Sequence, residues 1–345
     1  MEADVLKIVT AAAVALAPLT VPATASAAAV PPVPRVSAKA YVVADAGTGR
    51  ILASRDQRGR YLPASVIKVL TSVTLIPKVK PSTRVRPNRQ TVNVIPTKVG
   101  LRASRTYRAD DLFRAMLLKS ANDAAYALAQ AGGGLKATIS AMNAEARRLG
   151  ATDTLAASPN GLDRDLGLSV RTQHTSARDL AVIMRQALKL PDFRRYAGTR
   201  RASFPGGGTL TNGNKLLASY PGMIAGKNGS THLAGRTYVG AAQRGGHTII
   251  VAELGGNSTL WKDSAALLDW GFKATGKTKG TGALPAPAAG ASAPPASTPA
   301  TEAVRLASSS TSSGSFPWPA LLTAFAAGVL GLAFRKGLPR RKTRP

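Results

Sequence analysis

The sequence contains no cysteine and only three histidines in 345 residues. Without cysteine, the protein has no thiol nucleophile, no disulfide bonds and no cysteine-ligated zinc site. Catalytic chemistry must therefore come from serine, lysine, aspartate, glutamate or one of the histidines. We expect His174, His232 and His247 to be surface residues, because each falls in a predicted loop or at the start of a predicted strand.

Acidic residues are also scarce. There are 17 Asp and Glu against 46 Lys and Arg, and residues 29–273 alone hold 36 basic and 14 acidic residues, a net charge of +22. Such a field favours polyanionic partners. The sequence has no zinc-finger spacing and no aromatic-rich RNA-binding motif, and its only dense Lys/Arg block lies at the extreme C-terminus. We therefore expect a basic, solvated surface and no nucleic-acid partner.

Residues 1–28 have the pattern of a signal peptide. Lys7 precedes an uncharged stretch that begins at Ile8, and Ala25-Ser26-Ala27 provides the small residues that a signal peptidase requires. The pattern predicts that the protein is exported and that this segment is cleaved.

The other end of the chain has the pattern of a membrane anchor. Residues 317–334 are uncharged and long enough to cross the hydrocarbon core. Residues 335–345 are rich in Lys and Arg, which the positive-inside rule keeps in the cytoplasm. Residues 276–316, rich in Ala, Pro, Ser and Thr, are predicted to be a linker. We predict a single-pass protein of the cell membrane whose folded domain, residues 29–275, is extracellular.

Hydrophobic periodicity predicts strands at both ends of this domain and helices between them. The strands are predicted at 40–45 and 50–55, and in a second hairpin at 235–243 and 247–254. The helices are predicted at 65–75, 110–118, 122–131, 135–149, 177–188 and 260–272. This order indicates an α/β (α+β) fold, in which an antiparallel sheet built from the two ends of the domain holds an inserted helical region.

Ser65 and Lys68 are the first candidate catalytic residues. In "PASVIK" they are three residues apart at the start of a predicted helix, so their side chains share one face. A serine hydroxyl is a weak nucleophile unless a base removes its proton, and lysine can act as that base when burial or a second cation lowers its pKa. A single S-x-x-K pattern is weak evidence.

Two further motifs follow it in the chain. Ser120 and Asn122 in "KSANDAA" fall between two predicted helices, where they could relay protons and hold a substrate carbonyl, or simply cap a helix. Lys227-Asn228-Gly229 immediately precedes a predicted strand. Ser158-Pro159-Asn160 also matches S-x-N, but its proline and the following glycine favour a turn. The conjunction of S-x-x-K, S-x-N and K-x-G is the set that penicillin-interacting serine enzymes use.

With these motifs the chain resembles the serine-type D-alanyl-D-alanine carboxypeptidases, the low-molecular-mass penicillin-binding proteins. The resemblance covers about residues 36–273. In family order it includes "DAGTGRIL", "PASVIKVLT", "LLKSANDAAYALA", "SPNGLD", "TSARDLA", "NGNKLL" and "GKNGSTHLAGRTYVGAA". It implies a β-lactamase/penicillin-binding-protein-like fold, with a five-stranded antiparallel sheet flanked by helices, an all-helical subdomain, and neither a metal nor an organic cofactor.

The resemblance also implies roles for individual residues. Ser65 would be the acylated nucleophile, Lys68 its general base, and Ser120 and Asn122 the opposite wall of the site. Lys227 would face them from the strand. The oxyanion hole would consist of the backbone N–H groups of Ser65 and Ser230. The implied partners are peptidoglycan stem peptides ending in D-Ala-D-Ala, with β-lactams as inhibitors.

The K-x-G motif departs from the family pattern at its middle residue. Members usually carry threonine, whose hydroxyl helps to bind the terminal carboxylate of the substrate, and here the residue is Asn228. An amide also donates hydrogen bonds, but from a longer, planar group. We therefore expect activity to be retained with altered carboxylate geometry, and Thr231 could share the binding role alongside Gly229 and Ser230.

Three alternatives compete with a carboxypeptidase. A β-lactamase-like hydrolase would need a glutamate for deacylation, and in the domain only Glu145 and Glu253 are present, neither in a suitable motif. A Ser-His-Asp triad would leave Lys68 and Lys227 unexplained. A wall-binding protein with an impaired site has only Asn228 in its favour.

Overall fold

The computed structural model describes residues 30–206 and 208–286. The predicted signal peptide, membrane helix, basic tail and most of the predicted linker lie outside these residues. Within them, no helix combines the length and apolar character that a membrane crossing needs.

The described residues contain ten strands. They are β1 (Ala40–Asp45), β2 (Arg50–Arg55), β3 (Arg84–Val85), β4 (Tyr107–Arg108), β5 (Arg201–Ser203), β6 (Thr209–Thr211), β7 (Met223–Thr231), β8 (Gly235–Arg244), β9 (His247–Gly256) and β10 (Gly282–Ala283). The helices in the same part of the chain are α1 (Lys68–Leu75), α2 (Arg89–Val92), α3 (Ala109–Leu118), α4 (Asn122–Ala131), α5 (Leu135–Arg148), α6 (Ala177–Ala187), α7 (Pro191–Ala197), α8 (Leu216–Ser219) and α9 (Leu260–Ala274). Two 3₁₀ helices span Ala64–Ile67 and Arg164–Leu166.

Six strands form the main sheet in the order β10-β2-β1-β9-β8-β7, and every neighbouring pair is antiparallel. The predicted architecture is confirmed, since the sheet combines strands from both ends of the domain and the helices come between them. The sheet has six strands instead of the expected five, because β10 adds two residues to the free edge of β2.

The fold also continues past the predicted linker boundary at residue 275. Gly282 pairs with Ile51 and Ala283 with Arg50, and Leu284 is buried in the core. Burial of an apolar side chain and backbone pairing both stabilise this segment against the sheet. The folded part of the chain therefore extends to at least residue 284.

Both faces of the sheet are covered. On β9, Ile250 and Ala252 face one core with α1 and α6, whereas Ile249 and Val251 face a second core with α9. This alternation follows from the two-residue period of a strand. Helix α1 lies in the first core with all eight residues buried. The α3–α4 junction, the start of α1 and the edge strand β7 converge beside this core.

Candidate active site

Ser65 lies in the 3₁₀ helix Ala64–Ile67, and Lys68 begins α1 directly after it. A continuous α-helix was the expectation for 65–75, whereas the first turn is tighter. Residues i and i+3 eclipse each other in a 3₁₀ turn, and the Lys68 Nζ lies 2.9 Å from the Ser65 Oγ. Ala64, with φ +46°, adopts a left-handed conformation immediately before the serine.

Lys68 is fully buried and has three oxygen partners. Besides Ser65, its Nζ contacts Asn122 Oδ1 at 2.9 Å and the Asn160 carbonyl oxygen at 2.8 Å. Burial, and secondarily the positive charge of Lys227, hold the Lys68 pKa well below its usual value. A neutral amine has two N–H donors and one lone pair. It can donate to the two asparagines and accept the proton of the Ser65 hydroxyl.

Asp123 is a residue of this region that the sequence analysis did not single out. Its buried carboxylate accepts hydrogen bonds from the backbone N–H groups of Val99, Gly100, Leu101 and Ala124. Its negative charge acts to raise the Lys68 pKa, against the larger effect of burial. The only sequence signal was its position beside Asn122 in "SAND".

The neighbouring Asn122 is anchored in the same way. Its Nδ2 donates to the Ile95 carbonyl oxygen at 2.9 Å while its Oδ1 contacts Lys68. Asn122 and Asp123 together tie the segment 95–101 to the start of α4. The Asn122 amide is thereby oriented toward the base.

Asn160 was interpreted as part of a turn, and it does lie in a loop, but its backbone carbonyl contacts Lys68. The following Gly161 has φ +82°, and a Cβ there would lie 1.9 Å from the Ala64 carbonyl oxygen. Only glycine combines this backbone conformation with such a close approach. A backbone ligand has no side-chain signature, although "SPNGLD" was one of the stretches that carried the family resemblance.

Ser120 occupies the junction between α3 and α4. It has φ +60°, a left-handed conformation that is uncommon for serine and that persists where surrounding structure enforces it. The residue is half-buried, and its hydroxyl forms no hydrogen bond with another described residue. The structure thus places Ser120 at the predicted junction without a direct hydrogen bond to Ser65 or Lys68.

Strand β7 carries the third motif, which lies inside the strand and not before it as expected. Lys227 is 2% exposed, its Nζ donates to the Asn228 carbonyl oxygen, and burial lowers its pKa to about 7. A Cβ on Gly229 would lie 2.6 Å from the Ser65 backbone nitrogen and 3.0 Å from the Ala64 Cβ. The glycine of the motif is therefore what allows the strand edge to approach the serine.

The remaining predicted residues lie at the same edge. The half-buried Asn228 has no side-chain hydrogen bond to another described residue, and its Oδ1 lies 3.0 Å from the position of a Cβ on Gly213. Ser230 is exposed. The Thr231 hydroxyl donates to the Asp163 carboxylate and accepts from the Ala234 N–H at 3.0 Å. Its suggested role in carboxylate binding remains a prediction, and it would require the hydroxyl to give up its hydrogen bond to Asp163, because a hydroxyl has one proton to donate.

None of the residues that the alternative functions need forms a hydrogen bond with Ser65 among the described residues. His174 is 8% exposed, contrary to the expectation of a surface residue, and its Nδ1 lies 2.8 Å from the Val170 carbonyl oxygen. His232 and His247 are exposed as expected, and His247 lies 3.5 Å from Asp45. Glu145 pairs with an arginine on α5, and Glu253 contacts Ser264 of α9. In residues 30–206 and 208–286, no three His, Asp or Glu side chains form a group that could hold a metal ion.

A serine beside a buried lysine, with a second lysine on the edge strand of an antiparallel sheet covered by helices, defines a serine enzyme of penicillin-binding-protein-like fold. The family model described as D-alanyl-D-alanine carboxypeptidase matches residues 24–258. The chain belongs to this family of serine peptidases.

Similar proteins agree with this assignment. The chain is 39% identical, over 70% of its length and 84% of the relative, to the D-alanyl-D-alanine carboxypeptidase DacB2 of Mycobacterium tuberculosis. A crystal structure of a D-alanyl-D-alanine carboxypeptidase from the same organism superposes with a TM-score of 0.70 at 38% identity, covering 74% of this chain and 98% of that one. Penicillin-binding protein D2 of Listeria monocytogenes, solved in its ampicillin-bound form, gives a TM-score of 0.62 at 26% identity, covering 69% and 98%.

Proposed function

We propose that this protein removes the terminal D-alanine from peptidoglycan stem peptides through an acyl-enzyme on Ser65. The observation that carries the proposal is the 2.9 Å contact between the Ser65 Oγ and the Nζ of a fully buried lysine. Family membership supports the reaction class.

In the proposed acylation, the Ser65 Oγ attacks the carbonyl carbon of the penultimate D-alanine. Its proton passes to the neutral Nζ of Lys68, which burial keeps ready to accept it. The oxyanion would lie against the backbone N–H groups of Ser65 and Ser230. The first turn of a helix leaves such groups without an intrahelical partner, which makes Ser65 N–H available.

The C–N bond to the last D-alanine then breaks, and the leaving amine receives a proton. We propose that the Ser120 hydroxyl relays this proton from Lys68 to the leaving amine. The hydroxyl is available for this role, because it forms no hydrogen bond with another described residue. Water next adds to the ester carbonyl and gives a proton to Lys68, which passes it to the Ser65 Oγ as the Ser65–carbonyl bond breaks. The products are D-alanine and the shortened peptide.

The terminal carboxylate of the substrate would be bound at the start of the K-N-G motif. Lys227 supplies the charge, and the Asn228 amide supplies hydrogen-bond donors in place of a hydroxyl. Asn122, whose Nδ2 has a second N–H besides the one donated to the Ile95 carbonyl oxygen, would hold a substrate carbonyl other than the one that Ser65 attacks. A β-lactam presents a carboxylate and an acylating carbonyl at comparable positions, so we propose that it acylates Ser65, as the ampicillin-bound Listeria relative suggests.

We further propose that the enzyme is exported and anchored in the cell membrane by residues 317–334, with the catalytic domain outside. The charge pattern of the two ends of the sequence supports this topology. External protease should remove the catalytic domain from intact cells and leave a C-terminal tag protected. Protection of the catalytic domain would contradict this topology.

The test of the reaction is the intact mass of the purified protein with and without a penicillin, combined with D-alanine release from a D-Ala-D-Ala peptide. We expect a long-lived adduct of one drug mass in the native protein, absent in Ser65→Ala, and D-alanine release that the same variant lacks. If the native protein forms no adduct and releases no D-alanine, the site is inert and a wall-binding role replaces the proposal.

A further inference from the structure

A cleft of about 500 Å³ adjoins the catalytic residues. Three segments line it: Pro96 from the loop that Asn122 and Asp123 anchor, residues 162–165, and residues 230–232 at the end of β7. Ser230 and Thr231 belong to the proposed substrate site, whereas the 162–165 segment, Pro96 and His232 have no part in the proposed catalysis. Its position relative to the substrate decides what it could bind.

If the proposed function holds, two positions along β7 fix the direction in which the bound peptide runs. The carboxylate end of the peptide would lie at Lys227, and the attacked carbonyl would lie beside Gly229, where a Cβ would be 2.6 Å from the Ser65 nitrogen. The peptide therefore runs toward Thr231 as it is followed to its amino end. At about 3.3 Å per residue, the residue before the two D-alanines reaches Thr231 and the cleft.

Four titratable side chains line the cleft: Asp163, Arg164, Asp165 and His232. Asp163 is buried and already committed, because its carboxylate accepts from the Thr231 hydroxyl and from the Arg164 N–H. Asp165 is exposed, and its carboxylate has neither an ion pair nor a hydrogen bond among residues 30–206 and 208–286. It is an available anion in a domain with few acidic residues.

We propose that this cleft binds the side chain of the residue that precedes the two D-alanines, and that Asp165 selects a side chain ending in an ammonium group. The methylene groups of such a side chain would pack on Pro96 and Leu162, which leaves its charged end free to reach the 163–165 segment. Arg164 lies beside Asp165 and opposes the same ammonium group. The preference should therefore be modest in the native protein.

The test uses two peptides that differ by one charge. Nα-acetyl-L-Lys-D-Ala-D-Ala keeps the free ε-ammonium group, and Nα,Nε-diacetyl-L-Lys-D-Ala-D-Ala does not. With the full chain at low salt, we expect kcat/KM for D-alanine release to favour the free amine about two- to fivefold, as for an exposed ion pair. The effect should lie mainly in KM, because the contact forms equally in the ground and transition states.

Asp165→Asn should abolish this preference, and Arg164→Gln should increase it. Asp269→Asn, which removes a carboxylate of α9 on the opposite face of the sheet, is the matched control and should leave the ratio unchanged. Raising the salt concentration should reduce the ratio in the native protein but not in Asp165→Asn.

Two results would overturn the inference while leaving the proposed function intact: equal cleavage of both peptides by the native protein, or a preference that persists in Asp165→Asn. Faster cleavage of the diacetylated peptide would overturn it as well, since the cleft would then repel the cation. If neither peptide is cleaved and no penicillin adduct forms, the proposed function itself fails and the inference fails with it.

Discussion

Lys68 and Lys227 are two buried lysines whose positive charges oppose each other. Burial lowers both pKa values, that of Lys227 to about 7, and the charge of Lys227 lowers that of Lys68 further. The proposed base must be neutral, whereas a cation is needed for the carboxylate. We therefore expect a bell-shaped pH dependence of acylation, with two apparent pKa values that belong to the pair.

Removing one lysine should move the acidic limb of this profile. Without the Lys227 charge the pKa of Lys68 rises, so the base becomes neutral only at higher pH. Lys227→Ala should thus shift the acidic limb of the acylation rate upward in pH, in addition to slowing acylation. Stopped-flow measurement with a fluorescent penicillin between pH 4 and 9 reads both effects. A limb that stays in place would show that Lys227 does not act on Lys68.

Asn228 is the residue at which the K-x-G motif departs from the family pattern, and its substitution should change the acylation rate. Its longer amide fits because Gly213 leaves room for it, as shown by the 3.0 Å separation between Asn228 Oδ1 and an ideal Gly213 Cβ. We expect Asn228→Thr to raise the second-order acylation rate several-fold, about 1 kcal/mol, because a hydroxyl restores a compact donor for the carboxylate. Asn228→Ala should lower it. Equal rates in all three proteins would remove this residue from carboxylate binding.

The catalytic side chains of the site could be predicted from the sequence, but the backbone groups that contact them could not. Ser65, Lys68 and Lys227 were predicted because nucleophile, base and cation each need a particular residue type. The Asn160 carbonyl was missed because any residue can provide one. Asp123 was missed because its role is to hold four backbone N–H groups, and only the folded loop brings these together.

At the scale of elements, the 3₁₀ helix that carries Ser65 is packed between β7 and the 158–161 loop, with a glycine at each contact. A methyl group on Gly229 would lie 2.6 Å from the Ser65 nitrogen, and one on Gly161 would lie 1.9 Å from the Ala64 carbonyl oxygen. Both are backbone atoms, which cannot move away by a change of side-chain rotamer. The position of the nucleophile therefore depends on the absence of two Cβ atoms.

Gly229→Ala should separate the strand from the nucleophile. We expect a loss of about 1–3 kcal/mol in stability, as for an overpacked core, and at least about a tenfold loss in acylation, because misplacement by 1 Å can cost more than that. Gly245→Ala in the β8–β9 turn is the control: no atom lies within 4 Å of the new Cβ, but φ is +54°, so an alanine should lose about 1–2 kcal/mol in stability with no loss of acylation. Urea unfolding and penicillin acylation measure the two effects. Wild-type acylation in Gly229→Ala would refute the argument.

The elements themselves were largely predictable where periodicity was long. The strands 40–45 and 50–55 and the helix 122–131 have the predicted bounds, and the other long helices differ by one or two residues at their ends, except that α1 begins three residues later than expected. Strand β7 was not predicted, because its sequence MIAGKNGST shows no apolar alternation. β10 was assigned to a linker because two residues show no alternation and its partner β2 lies more than 200 residues away in the chain. The 3₁₀ turn at Ser65 was read as α-helix because hydrophobic spacing does not separate the two over four residues.

At the scale of the whole molecule, Glu253 couples the stability of the fold to pH. It lies fully buried on β9 between the sheet and α9. One carboxylate oxygen contacts Ser264, and the other has no partner among the described residues. Burial raises its pKa from 4.5 to about 8. Between these values the folded state holds a proton that the unfolded state has released, so this group's contribution to the free energy of unfolding falls as pH rises.

Glu253→Gln removes this titration while keeping the size and shape of the side chain. The variant should gain stability relative to the native protein as pH rises from about 5 to about 8, by a total on the order of 3–5 kcal/mol, and no further above that range. Urea unfolding at each pH measures the difference. The buried lysines have lowered pKa values and so contribute in the opposite direction at high pH, but they are present in both proteins and cancel.

Asp179→Asn provides the matched comparison, because burial raises the pKa of Asp179 only to about 6. Its stability difference should be complete near pH 6, two units earlier than that of Glu253→Gln. If both differences instead rise over the same range, a global change in net charge is responsible. Separate ranges would assign each part of the pH dependence to one buried carboxyl group.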